Sequence, residues 1–113
     1  MIYLASPYSH PDPTVRDRRY LAACRAAADL LRTGVTVFSP VVQGHVLSRF
    51  GLPTDWGFWR RHDCEHLRRC DEVVVLTLDG WRKSVGVLAE IELAREFGKP
   101  VRYLAARAER TAP

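Results

Sequence analysis

Residues 71–104 read DEVVVLTLDGWRKSVGVLAEIELAREFGKPVRYL. Val73–Leu78 is β-branched and apolar on both faces, the composition of a strand covered from above and below. Asp79–Lys83 interrupts it as a loop, Ser84–Gly98 carries apolar residues at helical spacing, and Pro100–Leu104 is a second short apolar run. The upstream sequence repeats this rhythm. Ile2–Ala5 is a short strand closed by Ser6, Pro7 and Tyr8. Asp12 and Pro13 form an N-cap and first-turn pair, and Tyr20, Cys24, Ala27 and Leu31 recur at helical spacing until Thr33 and Gly34. Val35–Phe38 is a further strand, halted by Ser39 and Pro40. A loop with Gly44, Gly51 and Pro53 follows, then a helix from about Asp55 to Cys70.

This alternation predicts an α/β protein: one doubly wound, Rossmann- or flavodoxin-like domain, a three-layer sandwich around a mostly parallel sheet of about four or five strands. The domain is expected over residues 1–105, with 106–113 as a tail of little signal. Ligands of such sheets bind beyond the carboxyl ends of the strands, which directs attention to Ser6–His10, Ser39–His45 and Asp79–Gly86.

The chain has 113 residues, 47% hydrophobic and 27% charged, which is one ordinary soluble domain. No apolar run approaches the roughly 20 residues that span a bilayer. Met1 leads straight into Ile2–Ala5, unlike a secretory leader. Cys24, Cys64 and Cys70 form no C-x-x-C pair, and with an odd number a reducing, cytoplasmic setting is expected. The net charge of +4 fits nucleic acid, a phosphorylated small molecule or neither. A chain this short buries a modest core, so self-association is expected.

Two acids fall on the wrong faces. In the helix after the third strand, Gly86, Val87, Ile91, Leu93, Ala94 and Phe97 share one arc and Glu92, Arg95, Glu96 and Lys99 the other. Glu90 lies in the middle of the apolar arc. In the preceding helix Asp63 lies within the stripe of Trp56, Trp59, Leu67 and Cys70. Unpaired ionised carboxylates there cost several kcal/mol. Two of them in one small domain point to a polar pocket, where perturbed carboxylates work. The plainer alternatives are a Glu90 that reaches solvent through a gap and an Asp63 paired with an arginine such as Arg60. Ser84 is a candidate cap, and Ser84, Val85 and Gly86 place unpaired N–H groups at a helix N-terminus, a natural anion site.

Ile2–Tyr3–Leu4–Ala5, Asp63 and the string Ser84-x-Gly86-x-x-x-Glu90 with Ala94 resemble the nucleoside 2-deoxyribosyltransferase superfamily, and within it the 5′-nucleotide N-glycosidase branch. Gly80–Trp81, Ser84, Gly86 and Glu90 are also similar to the DUF1937 group. The resemblance implies Glu90 as the nucleophile, Tyr3 as the group that holds its carboxylate, and Asp63 as the base contact or proton source. Transferases of free nucleosides carry aspartate six residues before the nucleophile, whereas the monophosphate glycosidases carry serine, as Ser84 does here. A serine hydroxyl donates to a phosphate that an aspartate would repel. The implied reaction is a double displacement at the anomeric carbon of a nucleoside 5′-monophosphate, with no cofactor and no metal. Transfer between free nucleosides and non-catalytic nucleotide binding are the alternatives. Ser6, Tyr8, Gly86 and His45 are further substrate-binding candidates. Ser6-Pro7-Tyr8-Ser9 departs from the family's glycine-rich loop, so Tyr8, Ser9 and His10 are offered in its place. Trp81 reads as a lid, a subunit contact or a surface side chain. The resemblance further implies a homodimer or higher homo-oligomer that shares the site.

Two other motifs compete. His62-Asp63-Cys64-Glu65-His66 matches the H-x-x-E-H zinc string, but Glu65 projects to the arginine face and no third ligand lies on a partner helix. The aromatic and basic run Trp56–Arg69 suggests nucleic acid, yet its aromatics follow the inward stripe. Neither a nucleic-acid nor a membrane partner is expected.

Overall fold

The computed structural model describes residues 1–107; the expected tail lies outside them from residue 108 onward. The elements run β1 (Ile2–Ala5), α1 (Pro13–Arg32), β2 (Val37–Phe38), α2 (Pro40–Ser48), α3 (Trp56–Arg69), β3 (Glu72–Leu76), α4 (Val85–Glu96) and β4 (Val101–Leu104), with a short 3-10 turn at Trp81–Lys83. The four strands form one sheet in the order β2-β1-β3-β4, with every neighbouring pair parallel. Tyr3 registers with Phe38 on one side and Val73 on the other.

Alternation along β1 and β3 builds the layers. Tyr3, Ala5, Val73 and Val75 point to one face, where Leu67 and Cys70 close α3 over the sheet and Val87, Ile91 and Ala94 do so from α4. Ile2, Leu4, Val74 and Leu76 point to the other, against Ala22, Ala26 and Leu30 of α1. The result is a doubly wound three-layer sandwich, α1 on one side and α3 with α4 on the other. Strands buried on both faces need the continuous apolar runs that β1 and β3 have.

Each long helix starts where a side chain captures an orphan amide. Asp12 accepts from Thr14 N, Ser39 from Val42 N, Asp55 from Phe58 N and Ser84 from Val87 N. The loop expected around Gly44 is in fact α2. Its signal was Ser39–Pro40, the same cap-then-proline pair that opens α1; Gly44 argued against it, but glycine lowers helix propensity without forbidding a helix. β2 is also shorter than expected, since Val35 and Thr36 precede the ladder.

The strand order reverses between β2 and β3, which both flank β1, and the crevice of such a sheet opens beyond the carboxyl ends there. α2 and α4 follow strands of the parallel sheet and α3 runs back to the start of β3, so all three turn their N-termini towards that edge. No helix among the described residues is long and apolar enough to cross a membrane.

Candidate active site

A cavity of about 460 Å³ opens at that edge. Ser6, Tyr8 and Ser9 line it from the end of β1, and the first turns of three helices add Pro40 and Val41, Asp55 to Gly57, and Lys83 to Gly86. Gly44 and His45, from further along α2, extend one wall. Asp63 and Glu90 reach it from the second turns of α3 and α4, and Trp56 and Trp59 supply a broad apolar wall.

Glu90 is 4% exposed, so it does not reach solvent through a gap. Its Oε2 accepts a hydrogen bond from the hydroxyl of Tyr3, which projects from the middle of β1. Burial pushes the Glu90 carboxyl up to about 8, with Asp63 adding to the rise and the Tyr3 hydrogen bond opposing it. The same burial and the neighbouring acids raise the Tyr3 phenol, which therefore remains a donor. Asp63 is 5% exposed and its carboxyl is also raised by burial; its partner is His62, whose Nδ1 lies 3.1 Å from Oδ1, rather than Arg60. Burial thus opposes ionisation of both carboxyls. One ionised and one protonated carboxyl is the complement of a nucleophile and an acid.

The mouth has the opposite character. The N-terminal turns of α2, α3 and α4 present backbone N–H groups and positive helix ends, and Lys83 stands beside the last. The Ser6 hydroxyl is buried, lines the cavity and has no hydrogen-bond partner among the described residues. A buried hydroxyl without a partner is uncommon in a folded protein and has room here for a ligand atom. Ser84 uses its oxygen on Val87 N at 3.2 Å, which leaves its hydroxyl hydrogen free to donate.

Tyr8 and His45 form one structure on the opposite wall. The Tyr8 hydroxyl lies 2.8 Å from His45 Nδ1, and His45 Nε2 lies 3.5 Å from Asp17 Oδ1. Tyr20 stacks on the imidazole at 4.0 Å. Burial lowers the His45 pKa, which favours the neutral ring that accepts from Tyr8. Gln43 and His10 are not among the cavity residues.

Tyr3, Asp63, Glu90, Ser84, Gly86, Ser6, Tyr8 and His45 thus come together. Trp81 does not. Its indole packs on the α4 side of the sheet, tilted against Tyr103 at 5.5 Å with Arg82 over the ring at 5.0 Å, and it lines no part of the cavity. The H-x-x-E-H string divides as its helical projection implies: Glu65 pairs with Arg69 at 3.8 Å, while His66 lies flat on Phe38 at 3.9 Å. Among the described residues no three His, Cys, Asp or Glu side chains converge as a metal site. Sequence reading missed Thr54, Asp55 and Lys83 as wall residues, and Asp17 and Tyr20 as supports of His45. The Asp55 cap was readable as the start of α3. The Tyr20 contact was not, because it depends on how α1 and α2 cross.

The chain is thus an all-parallel doubly wound α/β domain with a buried carboxyl pair beneath the N-termini of three helices. The family model for a domain of unknown function (DUF1937) matches residues 1–106, and the chain belongs to that family. No curated protein matches it.

Proposed function

We propose that the protein hydrolyses the N-glycosidic bond of a (deoxy)ribonucleoside 5′-monophosphate, releasing free base and sugar 5-phosphate. The observation that carries this reading is the hydrogen bond from Tyr3 to a buried Glu90, beside Asp63, in a cavity with three helix N-termini at its mouth. Glu90 and the α4 N-cap Ser84 are six residues apart, about 9 Å at 1.5 Å per residue. That spacing suits a ribose between a phosphate at the helix end and a carboxylate at C1′.

The residues then divide the work. The mouth binds the phosphate through the Val85 and Gly86 N–H groups and the hydroxyls of Ser84 and Ser6. Trp56 and Trp59 offer apolar surface to the base. With the proton of the pair held on Asp63 in the substrate complex, the Glu90 carboxylate attacks C1′ while the C1′–N bond breaks through an oxocarbenium-like transition state, and Asp63 gives that proton to the departing nitrogen. Water then attacks C1′ of the glycosyl ester, Asp63 takes back a proton, and Glu90 leaves as carboxylate. Tyr3 holds Glu90 in the attacking rotamer and stabilises its ionised form. The resemblance to the nucleoside 2-deoxyribosyltransferase superfamily supports the same assignments, including a homo-oligomer.

The test is a panel of ribo- and deoxyribonucleoside 5′-monophosphates and the matching free nucleosides, assayed for released base. Base release from monophosphates, lost in Glu90→Ala, is the expected result. Exchange of bases on unphosphorylated deoxynucleosides would replace hydrolysis by transfer, and binding without turnover would leave a nucleotide-binding protein.

A further inference from the structure

Asp63 is buried, but its hydrogen-bond partner is not. The His62 side chain is 39% exposed, against 7% for that of Asp63, and its Nδ1 lies 3.1 Å from Asp63 Oδ1. Aromatic neighbours hold the imidazole in place. Trp59 meets it edge-on at 5.5 Å and His66 lies tilted at 4.7 Å. His66 is itself pinned flat against Phe38 of the edge strand β2, and Phe38 also touches His62 at 6.2 Å. Stacking of this kind fixes a ring plane, and a fixed plane fixes the direction of its N–H.

A general acid must present one particular oxygen. A carboxyl free to rotate spreads its proton over two positions, while one clamped at Oδ1 by an N–H donor carries its proton on Oδ2. We propose that His62 is a positioning residue for Asp63: its Nδ1–H occupies Oδ1, leaves Oδ2 for the transferable proton, and joins the buried acid to solvent through the exposed side of the imidazole. This rests on the reading of Asp63 as the proton donor.

The charged and titratable groups around the pair come from every packed element. On α3, His66 lies beside His62 with Arg69 acting on it in turn. On α4, Glu90 feels the charge of Asp63, as does Tyr3 on β1. β2 contributes only the uncharged Phe38. Burial raises the Asp63 pKa, and the His62 hydrogen bond is the first of the influences that lower it. Removing the donor therefore makes Asp63 a weaker acid.

Two variants of the full chain test this. His62→Phe keeps a flat ring in the aromatic stack but has no N–H, while His62→Asn restores an N–H close to the Nδ1 position. Carbon-13 NMR titration of the Asp63 carboxyl is expected to show its midpoint about one pH unit higher in His62→Phe and close to the parent in His62→Asn. With a nucleoside 5′-monophosphate that the parent cleaves, kcat is expected to fall about tenfold in His62→Phe at unchanged KM and to recover in His62→Asn. An unchanged Asp63 midpoint in His62→Phe overturns the inference. A shifted midpoint in a protein that cleaves no member of the panel leaves the His62–Asp63 dyad standing and removes the glycosidase reading. Should His62→Phe fail to fold, His62→Gln, whose N–H lies beyond the Nδ1 position, serves with the same two outcomes.

Discussion

One residue carries the largest tension in the molecule. Glu90 is an acid in an apolar shell, and its carboxyl, raised from 4.5 to about 8, resists ionisation until pH passes that value. Below pH 4.5 the folded and unfolded chains both hold this proton. Between 4.5 and 8 the unfolded chain releases it and the folded chain does not, so this group lowers stability by about 1.4 kcal/mol per pH unit as pH rises. Glu90→Gln keeps the shape and an acceptor for Tyr3 without the titration. Denaturant unfolding is therefore expected to show Glu90→Gln more stable than the parent at pH 8, with the gap shrinking towards pH 4.5. Tyr3→Phe works the other way. It removes the hydrogen bond that Tyr3 gives the Glu90 carboxyl, worth about 1.5–3 kcal/mol when that carboxyl is ionised, as the proposed attack requires. Base release by Tyr3→Phe should fall roughly 10- to 100-fold in kcat. These acids were legible in the sequence because a carboxylate on an apolar stripe breaks a rule that helices otherwise obey. The histidine beside Asp63 gave no such signal, since His62 belongs on a mixed face and its role comes from the ring stack with Phe38, a residue 24 positions away.

At the level of elements, caps decide where the site is. Ser84 ends the 3-10 turn, starts α4 and stands at the cavity mouth. Ser84→Ala is expected to destabilise by about 1 kcal/mol through the lost cap. Ser84→Asp keeps a cap but sets a negative charge against the phosphate, so KM for a nucleoside monophosphate should rise at least tenfold while the melting temperature holds. An unchanged KM in Ser84→Asp would move the phosphate away from α4. On α2, a Cβ added to Gly44 would meet Trp59 at 3.8 Å, an ordinary contact. Gly44→Ala should then raise stability by up to about 1 kcal/mol, read as a higher melting temperature. That helix was also where sequence reading fell short: a glycine in mid-helix and two more glycine or proline positions downstream outweighed the Ser39–Pro40 start. α1, α3, α4 and the strands were readable because each has a period, a cap and a stop of its own. α2 is nine residues with buried Val41 and His45 alone, too short for a period to emerge.

In the whole molecule, the loops at the carboxyl edge are tied to one another as well as to their strands. Arg19 of α1 donates to the Ser9 carbonyl at 3.0 Å and to the Asp79 carbonyl at 3.3 Å, which links the loop after β1 to the one after β3. Gly80 sits under that guanidinium with φ +87°, where an added Cβ would lie 2.8 Å from Arg19 Nη2. The two faces of the sheet are less equal. Leu4→Ala on the α1 side empties core volume and should cost about 2–5 kcal/mol, yet leave the pH dependence of base release unchanged. The reason lies in the pleat of β1. Tyr3 and Ala5 face the helices that carry Asp63 and Glu90, while Ile2 and Leu4 face α1. A single strand therefore sorts its neighbours, with the α1 core on one side and the layer that holds the buried carboxyls on the other. For anyone remodelling this scaffold, Ile2 and Leu4 are the handle on the α1 core and Tyr3 is the handle on the Glu90 carboxyl.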